Sequence, residues 1–150
     1  MDKFRRVFQD RLKGDSEVGR KIKKSDAQWK AQLTELQFDV TRQGETEEAF
    51  SGEYLKHKGK GAYHCVCCDL ALYDSAAKYD SEAGWPSFWA PVNKRHILTA
   101  DDRSGSGRRV VLKCVRCGAR LGQLFNDGPE PTGLRHSINS AALIFKAAEE

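Results

Sequence analysis

The sequence predicts a mainly β protein with an antiparallel fold, preceded by short N-terminal helices and containing a structural zinc site. Three observations support this prediction. Helical apolar spacing is confined to the first 40 residues, short apolar runs alternate with turn-forming residues after that, and two C-x-x-C pairs lie within this second region. A chain of 150 residues with 39% hydrophobic residues fits one domain with its own core.

Residues 1–24 form a basic N-terminal extension. They hold nine Lys or Arg and four acidic residues, a net charge of +5, so the other residues contribute −1 to the total of +4. The helical spacing of Phe4, Val7, Phe8 and Leu12 predicts a short amphipathic helix. We expect this helix to pack on its own domain, with a membrane surface or a docking partner as the alternative. The charge gives no clear indication of nucleic acid binding.

A capping box starts the main domain, which we assign to residues 25–150. Ser25 is followed three residues later by Gln28, a pattern typical of a helix N-terminus. The apolar stripe of the predicted helix consists of Trp29, Leu33 and Leu36.

The β region follows from about residue 40. Its predicted strands are 63–65, 71–73, 110–113, 121–125 and 142–145. The polar stretch 101–107 is rich in Gly and Ser and predicts a loop between strands.

The metal site is predicted from cysteine spacing. Cys65 and Cys68 form one C-x-x-C pair, and Cys114 and Cys117 form another. Two residues between thiolates let one tight turn aim both sulfurs at one ion, and four thiolates give the closed tetrahedral site of a structural zinc. The alternatives are two unrelated pairs or a redox pair. Cys67 lies at the wrong spacing, and we expect a small buried or partly exposed thiol.

Several classes of protein are disfavoured. No apolar run approaches the roughly 20 residues of a membrane helix, and the N-terminus lacks the apolar core of a secretory signal. Five cysteines, an odd number, argue against a disulfide framework. The expected location is cytoplasmic.

Several motifs together resemble the methionine-R-sulfoxide reductase B (MsrB) family over about residues 25–150. Besides the cysteine pairs, they are Lys78-Tyr-Asp-Ser81, Gly84-Trp-Pro-Ser-Phe88, Asn126-Asp-Gly-Pro129, Pro131-Thr-Gly133 and Ile138-Asn-Ser140. The resemblance implies a tent-like β fold with the structural zinc at the end opposite the substrate pocket.

The resemblance also implies a thiol chemistry. A cysteine thiolate attacks the sulfur of methionine-R-sulfoxide and becomes a sulfenic acid, which a second thiol and then a thioredoxin-like protein reduce. By motif position, Trp85 and Phe125 match the aromatic wall for the S-methyl group. Asp127 matches the acidic residue that orients the substrate through water. Arg135 matches the arginine that helps to keep the catalytic cysteine in its thiolate form, and Asn139 matches an amide in the pocket.

The chain departs from this pattern at the reacting positions. Ser137 stands at the nucleophile, while Arg120 and Gln123 replace two histidines and Ala83 replaces a frequent recycling cysteine. Serine cannot accept the sulfoxide oxygen as sulfur does, so we expect an inactive or impaired reductase. At His136 we expect a packed or surface imidazole and not a replacement catalyst.

Two alternatives remain. The chain could be an active reductase in which Cys was changed to Ser, although this explains only Ser137 and not the other three departures. It could also be a zinc-stapled interaction module that binds a partner through its basic tail and a β surface.

Overall fold

The computed structural model describes residues 18–103, 107 and 109–148. The helix predicted within residues 4–12 lies outside the described residues. Over the described part of the chain, no helix is both long and apolar enough to cross a membrane. Two helices lead into the β region, α1 (Asp26–Gln32) and α2 (Glu35–Gln43).

The capping box predicted at Ser25 is present, and a second one follows at Thr34. In each box, the N-cap hydroxyl accepts a hydrogen bond from the backbone N–H of the Gln three residues later. The side chain of that Gln accepts a hydrogen bond from the backbone N–H of the N-cap residue. The prediction of one helix with Leu36 on its apolar stripe is therefore wrong. Thr34 starts a new helix with a different phase, so Leu36 is 54% exposed while Phe38 is buried.

Nine strands are found among the described residues, and every pairing between them is antiparallel. A three-stranded sheet has the order β2-β1-β9, from β1 (Gly61–Cys65), β2 (Ala71–Asp74) and β9 (Leu143–Ala147). A six-stranded sheet has the order β3-β4-β8-β7-β6-β5. Its members are β3 (Lys78–Tyr79), β4 (Ser87–Phe88), β5 (Ile97–Asp102), β6 (Arg109–Cys114), β7 (Arg120–Phe125) and β8 (Arg135–Ile138). The predicted mainly antiparallel β fold is confirmed.

The loop predicted at residues 101–107 begins too early. Asp101 and Asp102 belong to β5, where they pair with Val110 and Arg109. An edge strand with one solvated side accepts polar residues, because the ladder to its neighbour uses backbone groups alone. The polar composition of residues 101 and 102 therefore led to the prediction of a loop where the strand continues.

Aromatic side chains join the two sheets. Tyr73 of the smaller sheet stacks on Phe88 of the larger one, with ring centroids 4.6 Å apart, and Tyr63 meets Phe88 edge-on at 5.3 Å. All three are fully buried. The Tyr73 hydroxyl is also hydrogen-bonded to Nδ1 of buried His136 at 2.8 Å, and burial lowers the pKa of His136 to about 4. His136 is thus a packed, neutral imidazole, one of the two environments expected for it.

The two cysteine turns share one backbone geometry. The N–H of Asp69 donates to the Cys65 carbonyl at 2.8 Å, and the N–H of Gly118 donates to the Cys114 carbonyl at the same distance. Both donors have positive φ, 71° for Asp69 and 75° for Gly118. Glycine adopts this conformation without the strain that Asp69 carries.

The four sulfurs form a compact cluster between the sheets. Sγ atoms of Cys65, Cys68, Cys114 and Cys117 all lie within 4.8 Å of one another, and the pairs Cys65–Cys117 and Cys68–Cys114 are 3.6 and 3.5 Å apart. Tetrahedral zinc with bonds of about 2.3 Å would separate its sulfurs by about 3.8 Å. The cluster fits a structural zinc ion, which would leave no open position for catalysis. Cys67 lies outside it, buried, with its Sγ 3.4 Å from the Thr41 hydroxyl.

Both helices brace these turns. Gln32 at the end of α1 donates to the Cys67 carbonyl at 2.9 Å, and Arg42 of α2 donates to the Cys117 carbonyl at 2.9 Å. The Arg42 guanidinium also lies 4.4 Å from the centre of the Trp29 ring. The N–H of Ile22 donates to the Arg116 carbonyl at 2.7 Å, so the described end of the basic extension contacts the second turn. The division at residue 24 stays a prediction.

Zinc binding should be stoichiometric and necessary for stability. We expect elemental analysis to find one zinc per chain, and Cys114→Ser to lose it and to lower Tm by at least about 10 °C, because binding energy at such sites is folding energy. Cys67→Ser is the matched control and should keep both the metal and the melting temperature to within a few degrees. Metal-free wild-type protein that melts normally would contradict this assignment.

Acid sensitivity should trace in part to His136. Its folded pKa of about 4 lies below the ordinary 6.5, so its contribution is complete above pH 6.5 and is lost as the pH falls toward 4. Between pH 7.5 and 5.5 the wild type should lose about 1 kcal/mol more unfolding free energy than His136→Phe, measured by urea denaturation. Parallel pH profiles for the two proteins would show that this imidazole is not held neutral.

Candidate functional site

A cavity of about 240 Å³ opens beside β7 and β8, and we name it the Ser137 pocket. It brings together seven of the eight residues predicted for the reductase site: Trp85, Arg120, Gln123, Phe125, Arg135, Ser137 and Asn139. The remaining lining residues are Thr46, Ala83 and Gly122. Asp127 is the predicted site residue that does not line it; it borders an adjoining recess with Tyr79 and Ser81.

Strand pairing places Ser137 opposite Gln123. The two residues are register partners in β8 and β7, while Ser87 of β4 pairs with Ser137 on the other side. Gly122 allows this close packing, since a Cβ there would overlap the Ser137 carbonyl. The serine is therefore held by a central strand and is only 8% exposed.

The Ser137 hydroxyl has no activating base. No histidine, aspartate or glutamate is among the described residues that line the pocket, and the neighbouring His136 is turned toward Tyr73. A serine hydroxyl without a base within hydrogen-bond reach is a weak nucleophile near neutral pH. The five cysteines all belong to the two cysteine turns, and none lines the pocket.

Arg135 is paired and stacked. Its Nε and Nη2 donate to the two carboxylate oxygens of Asp127 at 2.8 and 3.1 Å, and its guanidinium lies 4.1 Å from the centre of the Phe125 ring. The hydrogen bond lowers the pKa of Asp127 and raises that of Arg135. The charge of this arginine is thus balanced within the protein.

Glu47, which sequence reasoning missed, holds two pocket-lining residues in place without lining the pocket itself. Its carbonyl accepts from Trp85 Nε1 at 3.0 Å, and its N–H donates to Asn139 Oδ1 at 2.9 Å. Asn139 Nδ2 also donates to the Leu121 carbonyl at 3.0 Å. The amide of Asn139 therefore ties three segments of the chain together. The contacts use the Glu47 backbone, so no residue pattern could have indicated them.

Arg120 borders the pocket near the end of α2. Its Nη1 donates to the Glu45 carbonyl at 3.3 Å, and its Cδ lies close to Gly44, the C-cap of α2. Burial lowers the pKa of Arg120, with Asp102 acting in the opposite direction. The pocket as a whole combines an aromatic wall with hydrogen-bond donors, and it lacks a thiol.

Comparison with known proteins identifies the family. Residues 33–147 match the model of the SelR domain. The chain is 50% identical over 127 residues to the peptide methionine sulfoxide reductase MsrB of Methylibium petroleiphilum, covering 85% of this chain and 92% of that protein. It is 53% identical over 123 residues to the protein of the same name from Pseudomonas aeruginosa strain PAO1, covering 82% and 93%. For the Synechococcus sp. protein, also named MsrB, the identity is 46% over 132 residues, covering 88% and 97%. The chain therefore belongs to the peptide methionine sulfoxide reductase MsrB family.

Proposed function

We propose that this chain binds methionine-R-sulfoxide side chains in the Ser137 pocket without reducing them. One observation carries the proposal: the side-chain oxygen of Ser137 lies in the same pocket as Trp85, Phe125, Arg135 and Asn139, which match the reductase pattern by motif position. The proposal assigns the pocket residues binding roles and leaves the zinc a purely structural one.

The chemistry of oxygen transfer excludes serine as a substitute. In the family reaction a sulfur–oxygen bond of the substrate breaks while a new one forms on cysteine, giving a sulfenic acid that thiols reduce. Serine would have to form an oxygen–oxygen bond and become a peroxide, which is far higher in energy. Arg120 and Gln123 also cannot deliver the proton that the departing oxygen needs, because neither exchanges a proton readily near neutral pH.

Binding needs less than catalysis, and the pocket keeps what binding needs. The Trp85 ring, fixed through its Nε1, and the Phe125 ring, beneath Arg135, offer apolar surface to an S-methyl group. The Ser137 hydroxyl and the Gln123 amide can donate to the sulfoxide oxygen. Because no cysteine lines this pocket, no sulfenic acid or disulfide can form there for a thioredoxin-like protein to reduce. We also propose a cytoplasmic location for the protein, and a boundary after residue 24 between the basic extension and the main domain.

Calorimetric titration tests the binding role. N-acetyl-methionine-R-sulfoxide N-methylamide should bind saturably to the unmodified protein, and the S epimer should bind more weakly because its oxygen and methyl group exchange places. Trp85→Ala should weaken binding at least tenfold, on the order of a buried aromatic anchor. Trp89→Ala, which does not line the pocket, is the matched control. Absence of saturable binding at millimolar ligand would overturn the proposal.

An active reductase in which cysteine was exchanged for serine is the second candidate, favoured by the intact frame of Trp85, Arg135 and Asn139. Restoring the sulfur separates the two. We expect Ser137→Cys alone to reduce the R-sulfoxide slowly with dithiothreitol. Adding Arg120→His and Gln123→His should raise the rate at least about 100-fold, as expected for general acid catalysis.

Full activity from the single substitution would instead favour the second candidate. The Arg120→His, Gln123→His protein that keeps Ser137 is the control, and it should show no thiol-dependent reduction.

A further inference from the structure

We infer that Arg120 makes the Ser137 pocket selective for ligands that carry a carboxylate beside the sulfoxide side chain. The inference rests on the proposed function, since it concerns the same pocket and names the class of ligand within it. Nothing in the resemblance to the reductases assigns such a role, because the family pattern has histidine at this position.

The two arginines of the pocket differ in how their charge is balanced. Arg135 is neutralised by a bidentate contact with Asp127, whereas Arg120 has no ion pair with a carboxylate within 4.0 Å among the described residues. The charged groups that influence Arg120 are Asp102 and, with the opposite sign, Arg109. The pocket therefore carries one positive charge that no contact within it balances.

Most of the hydrogen-bond donors of the Arg120 guanidinium are also unused among the described residues. A guanidinium has five N–H donors in a planar fork that matches a carboxylate. Arg120 uses one of them, in a long contact of 3.3 Å to the Glu45 carbonyl. A cation near the C-terminal end of α2 is favourable in itself, but that role leaves most of the donors unused.

A carboxylate would complete this arrangement. With the sulfoxide side chain against Trp85, a carboxylate on the same ligand would meet the fork of Arg120 at the border of the same cavity. The carboxylate can be the α-carboxylate of a free or C-terminal methionine sulfoxide, or the side chain of an adjacent Asp or Glu in a peptide. The shared chemistry is one anionic group close to the sulfoxide.

A pair of ligands that differ in one charge tests the inference. N-acetyl-methionine-R-sulfoxide should bind the wild type at least about fivefold more tightly than its N-methylamide, with the ratio falling as salt rises. In Arg120→Gln the ratio should fall to about one, and Arg120→Lys should keep part of it. Arg109→Gln, which removes a nearby positive charge outside the pocket, is the matched control and should retain the wild-type ratio.

A second pair separates the sources of the carboxylate. Two peptides with an internal R-sulfoxide followed by Asp or by Asn distinguish an adjacent acidic side chain from a terminal carboxylate. If neither the acid nor the amide ligand binds, the proposed function and this inference both fail. If both bind with equal affinity, or if Arg120→Gln keeps the preference, the inference fails while the proposed function stands.

Discussion

The structure depends on one cross-link, the cluster of four sulfurs between the turn that follows β1 and the turn that follows β6. One turn belongs to the three-stranded sheet and the other to the six-stranded sheet, so a zinc ion bound there would tie the sheets together. The second turn leads directly into β7, which pairs with β8 and so positions Ser137 opposite Gln123. The geometry of the pocket thus follows from the placement of the cluster.

The aromatic contacts between the sheets complete this frame, and they are independent of the reacting positions. Tyr63, Tyr73 and Phe88 fill the space between the sheets, and His136 joins them on the far side of β8 from the pocket. Alternate residues of a strand face opposite sides of the sheet. Serine can therefore take the place of cysteine at residue 137 without disturbing the packing of residues 136 and 138. The family fold is compatible with serine at residue 137 for this reason.

Sequence reasoning succeeded where structure is local. The two C-x-x-C turns and the capping box at Ser25 are set by residues within a few positions of one another, and both were predicted correctly. The break at Thr34 was missed because an apolar stripe fits one helix as well as two. The strands of only two residues, β3 and β4, are too short to show a period.

The residues that line the pocket could be predicted from the sequence more completely than the contacts between them. Motif positions identified seven of the pocket-lining residues. The pairing of Asp127 with Arg135 and the contacts of the Glu47 backbone with two pocket-lining residues depend on tertiary packing, which no motif specifies. The unbalanced charge of Arg120 likewise became visible only when its neighbours were known.

The account depends on the difference between an oxygen and a sulfur at residue 137. The most direct measurement is single-turnover reduction of N-acetyl-methionine-R-sulfoxide by the zinc-loaded, unmodified protein, with product methionine quantified in the presence of dithiothreitol. The account predicts no methionine above the level formed by dithiothreitol alone. Stoichiometric or catalytic formation of methionine would contradict it.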